Sequence, residues 1–218
     1  MMPLPIEDMV LRVDRDVLHV ESAEPLHVVS SALVGAELDS TRHVLSLRVP
    51  RDFNEPDPAM WLKSRAWERG LWEPFVGLLT AVDLRTVAMA QHEVEACRAL
   101  ALVTAGVSNA TAAGRERVGS GGRPGTINII VIVDAALGRG ALVNAAMVAT
   151  EAKTLAVMEA GVRTAEGLLA TGTSTDAIVV AYTGRGESYE FAGPVTPVGH
   201  AVGVAVQDAV SQALRRNG

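Results

Sequence analysis

The chain is poor in cysteine, lysine, asparagine and aromatic residues, and each shortage closes off a class of protein. Cys97 is the single cysteine among 218 residues, so an internal disulfide framework and a zinc site built from several thiolates are both excluded. Lys63 and Lys153 are the only lysines; the other 17 of the 19 cationic residues are arginine. Against 25 acidic residues they leave a net charge of −6 and no basic stripe to neutralise phosphates, which argues against a general nucleic-acid binder. The most apolar run, residues 126–137, falls short of the roughly 20 residues of a membrane span and is interrupted by Asp134. Met1 to Val10 carries Glu7 and Asp8 and lacks the basic and apolar regions of a signal peptide. The expectation is a cytoplasmic protein bound neither to nucleic acid nor to membrane.

What the chain does have is 49% hydrophobic and only 20% charged residues, a balance that excludes disorder and can fill a sizeable core. No repeat, low-complexity stretch or long linker divides it, so a single domain over 1–218 is expected. Val17–Val20, Leu26–Val34 and Val44–Val49 read as early strands separated by polar turns such as Glu24-Pro25. Asp57-Pro58 opens a helix that runs to about Gly70. Phe75–Val82 and Thr86–Ala90 bracket a turn and read as a hairpin, and Cys97–Thr104 is a further strand. Ile127–Val133, with four of the six isoleucines, reads as a central strand buried on both faces. Gly140–Gly161 and Val198–Arg216 read as helices, with the strand Ile178–Tyr182 between them. Early hairpin-connected strands followed by helices predict an α+β fold, with a mixed, largely antiparallel sheet layered with about three helices; a three-layer α/β arrangement is the alternative.

Four segments place polar residues where an apolar interior would prefer none. Thr104–Ala110 ends a buried strand and offers Ser108 and Asn109. Gly125-Thr126-Ile127-Asn128 leads into the most apolar strand, where an asparagine amide needs partners. The helix from Asn144 aligns Asn144, Met147, Glu151, Thr154 and Met158 along one face, with Lys153 on another. Ala170–Asp176 gathers Thr171, Thr173, Ser174 and Thr175 before Asp176 at the start of a strand. Scarcity singles these out: of five asparagines and two lysines, Asn109, Asn128, Asn144 and Lys153 all fall in them. Familiar signatures are missing. Gly119–Gly125 lacks the Gly-Lys-Ser/Thr of a phosphate loop. There is no Gly-x-Ser-x-Gly elbow, and the five histidines show no metal-ligand spacing, so no metal site is expected.

Taken together and in order, the four segments resemble the adenosylcobinamide amidohydrolase (CbiZ) family, as do Gly77–Ala81 and Ala192-Gly193-Pro194. The resemblance spans roughly residues 28–214. It implies hydrolysis of the amide that joins the aminopropanol arm to the corrin ring of adenosylcobinamide, giving adenosylcobyric acid and 1-amino-2-propanol. Cobalt would enter only as part of the corrinoid substrate, with no separate cofactor, and a homo-oligomer is a further expectation. Val195–His200 departs from the family's usual His-Thr-Lys after Gly-Pro, which raises the alternative of a corrinoid-binding protein that has lost hydrolysis. Amide hydrolysis needs an attacking oxygen, a base, an acid for the amine and donors for the oxyanion. In one route a hydroxyl of Thr126, Ser108 or Thr173 attacks with Lys153 or Glu151 as base. In the other, Glu151 activates water while Asn128, Asn144 and backbone N–H groups hold the oxyanion. Glu151 with Lys153 as an acid–base pair, together with Thr126 and Asn128, forms the expected catalytic set; Ser108, Asn109, Asn144, Thr173, Thr175 and Asp176 are expected to bind substrate.

Overall fold

A computed structural model describes residues 1–115 and 125–217. The Gly119–Gly125 segment compared above with a phosphate loop therefore lies outside the described residues, apart from Gly125. In chain order the elements are β1 (Met2–Pro3), β2 (Met9–Val13), β3 (Val17–Ser30), β4 (Ser40–Arg48), α1 (Pro58–Trp67), β5 (Phe75–Thr80), a 3-10 turn (Leu84–Thr86), β6 (Ala88–Val94), β7 (Cys97–Gly106), β8 (Ala110–Thr111), β9 (Thr126–Asp134), β10 (Ala136–Leu137), α2 (Arg139–Glu159), β11 (Gly172–Thr173), β12 (Ala177–Tyr182), β13 (Ser188–Tyr189) and α3 (Pro197–Asn217). Among the described residues, three helices pack with a curled, mixed nine-stranded sheet, and β10-β13 and β11-β8 form two small two-stranded sheets; this is the α+β class expected from the sequence.

The sheet runs β1-β2-β3-β12-β9-β7-β6, and β4 and β5 branch from β3. Strands β9 and β12, and likewise β4 and β5, are parallel; the other pairings in this sheet are antiparallel. Alternation along each strand sorts its residues into two cores, because successive side chains point to opposite faces. Ala99, Ala101 and Val103 of β7 and Ile127, Ile129, Val131 and Val133 of β9 meet the alanine-rich faces of α2 and α3. Leu100, Leu102, Ile130 and Ile132 turn the other way, onto Leu18, Val20, Val44, Val76 and Leu78 of the curled-over strands. Leu45, Leu47 and Phe75 then cover Leu62 and Ala66 of α1. Gly77 permits that contact, since a Cβ there would stand 2.8 Å from a Leu62 methyl. By length and composition α2 could cross a membrane, yet its Ala141, Ala145, Ala149 and Ala156 are buried in the first core.

Two local expectations need correction. The segments Val17–Val20 and Leu26–Ser30 are one 14-residue strand, and Glu24-Pro25 sits in an irregularity of its pairing with β4, not in a turn. Pro25 cannot donate to a ladder, which a bulge tolerates and a regular strand does not. Phe75–Val82 and Thr86–Ala90 do not form a hairpin: β5 pairs with β4, and β6 pairs with β7. Asp83 accepts from Arg85 N and starts the 3-10 turn, whose buried Leu84 carries the chain from one layer to the other. The actual hairpin turn is Glu95-Ala96, with Glu95 in the left-handed region at φ 56°. Neither residue is a turn-former, which is why the pattern concealed it.

Candidate active site

A cavity of about 520 Å³ opens where the layer between the two halves of the sheet reaches the first residues of β9 and β12. Thr126, Asn128, Thr175 and Asp176 form one wall, Leu78 to Ala81 of β5 and its exit the opposite one, and Phe53, Asn54 and Glu55 the rim. Thr126 and Asn128 share the parity of Ile130 and Ile132, so both side chains enter the interior between the layers. They are only 6% and 4% exposed. Asn128 meets its amide demand by donating Nδ2 across the gap to the Leu79 carbonyl at 2.8 Å and accepting at Oδ1 from Thr126 Oγ1, its neighbour on the same strand, at 3.0 Å. Thr126 Oγ1 also lies 2.7 Å from the Thr175 carbonyl.

Asp176 is the hub behind this wall. Its Oδ1 accepts from the backbone N–H groups of Ile127 and Thr173, each at 3.1 Å, and from the Thr173 hydroxyl; its Oδ2 accepts from Lys153 Nζ at 2.7 Å. Lys153 reaches it from α2, and the two side chains are 11% and 19% exposed. Gly172 makes the space, since a Cβ there would collide with Asp176 Oδ2 and lie 2.5 Å from Lys153 Nζ. The turn after β7 braces the same region: Asn109 Nδ2 donates to Ser174 Oγ at 2.8 Å and Thr175 Oγ1 at 3.4 Å. Ser108 Oγ lies beside Gly125, 2.9 Å from where a Cβ would be.

The structure thus gathers Ser108, Asn109, Thr126, Asn128, Lys153, Thr173, Thr175 and Asp176 around one point. It leaves Glu151 and Asn144 aside. Glu151 is exposed on α2, and Asn144 is half-buried; among the described residues neither side chain has a hydrogen-bond partner. Residues two apart on a helix do not face each other. The carboxylate that meets Lys153 is accordingly Asp176, not Glu151. Val195–His200 also stands apart. Val195 is 96% exposed, and Thr196 caps α3, its Oγ1 accepting from Gly199 N at 3.1 Å ahead of Pro197 in the first turn. That segment starts a helix and does not line the cavity. Missed by the sequence reading were the rim residues Phe53, Asn54 and Glu55; the signal was Asn54, a scarce residue in a loop dense in Pro, Asp and Glu. Among the described residues, no three His, Cys, Asp or Glu side chains are grouped to hold a metal ion.

Comparison with known proteins extends this picture. A family described as adenosylcobinamide amidohydrolase matches residues 5–218. The chain is 32% identical over 199 residues to the adenosylcobinamide amidohydrolase of Methanosarcina mazei, covering 87% of this chain and 90% of that one. It is 35% identical over 144 residues to the enzyme of the same name from Halobacterium salinarum, covering 61% and 58%. Among solved structures, the PH0078 protein of Pyrococcus horikoshii OT3 superimposes with a TM-score of 0.56 at 14% identity over 95% of this chain and 79% of that one. A Burkholderia sp. β-aminopeptidase superimposes with a TM-score of 0.50 at 13% identity over 94% and 80%. At these identities the two structures establish shared fold alone. With the match running from residue 5 to the C-terminus, the chain belongs to the adenosylcobinamide amidohydrolase (CbiZ) family, whose members are hydrolases acting on an amide.

Proposed function

We propose that the chain hydrolyses the amide between the aminopropanol arm and the corrin ring of adenosylcobinamide, releasing adenosylcobyric acid and 1-amino-2-propanol, with Thr126 Oγ1 as the attacking oxygen. One observation carries the choice of nucleophile: of the three candidate hydroxyls, Ser108, Thr126 and Thr173, Thr126 alone lines the cavity. Its volume of about 520 Å³ falls within the range of small-molecule pockets and suits a side arm, with the larger corrin ring resting on the rim. The Asn128 amide, buried beside Thr126, is placed to hold that hydroxyl toward the scissile carbonyl. Asp176, paired with Lys153, holds the backbone at Ile127, next to the attacking group, and at Thr173. Cobalt belongs to the substrate in this reading, and no chain-borne cofactor takes part.

The test is incubation with adenosylcobinamide followed by chromatographic separation of corrinoids. The wild type gives adenosylcobyric acid, and Thr126→Ala lowers the rate by at least about 10³-fold, the scale of removing a nucleophile. No product at high enzyme concentration, with corrinoid still bound, sinks the hydrolase reading in favour of a binding protein.

A further inference from the structure

No base reaches the attacking hydroxyl among the described residues. Among the described residues Thr126 Oγ1 meets only the Thr175 carbonyl and Asn128 Oδ1, neither of which takes up a proton at neutral pH. All the donors around Asp176 point at its carboxylate, and Lys153 Nζ is bound to it. A threonine that stands first in its chain supplies its own base, the α-amine, separated from Oγ1 by Cα and Cβ alone. Such an amine titrates near 8, close to the pH at which a general base works best.

The bond that hides this amine, Gly125–Thr126, is set up to break. Thr175 Oγ1 donates to the Gly125 carbonyl at 2.5 Å, and Asn109 Nδ2 in turn approaches Thr175 Oγ1 at 3.4 Å. This places an oxyanion donor on the carbonyl directly before Thr126. Gly125 lets the turn after β7 close on this bond: a Cβ there would collide with Asn109 Oδ1 and stand 2.8 Å from the Gly106 carbonyl oxygen. Asn109 Oδ1 is itself buried and, among the described residues, has no hydrogen-bond partner.

We infer that the chain cleaves itself between Gly125 and Thr126, and that the α-amine so exposed is the base for the amide hydrolysis; the second half rests on the reading of Thr126 given above. In the first step Thr126 Oγ1 adds to the Gly125 carbonyl carbon, the C–N bond breaks, and the hydroxyl proton passes to the departing nitrogen, leaving an ester and a free amine. In the second, water adds to the ester, the C–O bond breaks, Gly125 ends as a carboxylate and Thr126 regains its hydroxyl. One water is consumed and nothing is oxidised. The two pieces stay together, because β9 is hydrogen-bonded between β7 and β12.

Intact-mass spectrometry and denaturing electrophoresis of the purified full chain test this. The expected result is two polypeptides, residues 1–125 and 126–218, whose summed mass exceeds the chain by one water, eluting as one species under native conditions. N-terminal sequencing of the shorter begins at Thr126. Thr126→Ser still cleaves, Thr126→Ala stays whole, and Thr175→Ala slows cleavage about a hundredfold, the effect of one lost oxyanion donor. A whole wild-type chain that turns over adenosylcobinamide overturns the inference and leaves the proposed function intact. A cleaved chain without turnover supports self-cleavage and removes the proposed function. Cleavage of the same bond in Thr126→Ala overturns the inference by assigning the cut to an external protease.

Discussion

Replacing Asp176 by asparagine is expected to destabilise the protein more than removing its partner Lys153. The asparagine keeps an oxygen for Ile127 N, Thr173 N and the Thr173 hydroxyl, but it turns an NH₂ toward Lys153 Nζ, now 2.7 Å from a carboxylate oxygen. The ammonium, whose side chain is 11% exposed, is then buried against donors. Stranding one partner of a buried pair costs about 3–5 kcal/mol. Lys153→Met instead strands a carboxylate that still accepts three hydrogen bonds, each worth about 1 kcal/mol, so its cost is set at about 2 kcal/mol. A difference of about 2 kcal/mol corresponds to a Tm lower by about 4–8 °C in Asp176→Asn than in Lys153→Met. The double variant, with no ammonium left to strand, recovers stability relative to Asp176→Asn alone. Thermal and urea unfolding followed by circular dichroism at neutral pH reads all three. Equal losses in the two single variants, or additivity within about 0.5 kcal/mol in the double, would refute the account of a coupled buried pair.

Other consequences are as direct. Gly172→Ala drives a methyl into Asp176 Oδ2 and Lys153 Nζ, and a stability loss of about 1–3 kcal/mol in urea unfolding is expected, accompanied by a fall in turnover. Glu151→Gln, on the exposed face of α2, leaves kcat/KM within about twofold and stability within about 0.5 kcal/mol; a tenfold drop in kcat/KM would restore Glu151 to the chemistry. Away from the cavity, burial and then the neighbouring His43 push His19 down from 6.5 to about 4. The unfolded chain binds that proton first, so Tm is level above pH 6.5 and falls as pH drops from 6.5 toward 4. His19→Asn flattens this slope, and a slope unchanged in the variant counts against the assignment.

How much of this could be read from the sequence depends on whether a residue's signal was local. Asn128 announced itself because an amide inside an isoleucine-rich strand has nowhere cheap to go, and it is indeed buried with both amide atoms bonded, one across the cavity and one to Thr126 on its own strand. The helices were legible from period and caps: Asp57 accepts from Met60 N at the start of α1, just before Pro58. The partner of Lys153 was not legible. Glu151 is near it in sequence and Asp176 is 23 residues away, and only the packing of α2 against the start of β12 brings them together. The false hairpin has a similar origin. Two apolar runs flanking Asp83-Leu84-Arg85 look alike whether they pair with each other or with strands in different layers, and only the buried Leu84 distinguishes the cases.

Strand β3 has a consequence for how the protein comes apart. Its first residues pair with β2 and β4, its last four with β12, so one continuous stretch of backbone belongs to both layers. Slipping it by a single residue would turn Leu18, Val20, Leu26 and Val28 out of the core between the layers while breaking the edge that supports β12 and, beyond it, β9. Neither layer can therefore melt as an independent foldon. Hydrogen exchange should report similar opening free energies for amides of β4 and β9, distant strands that β3 ties into a single cooperative unit.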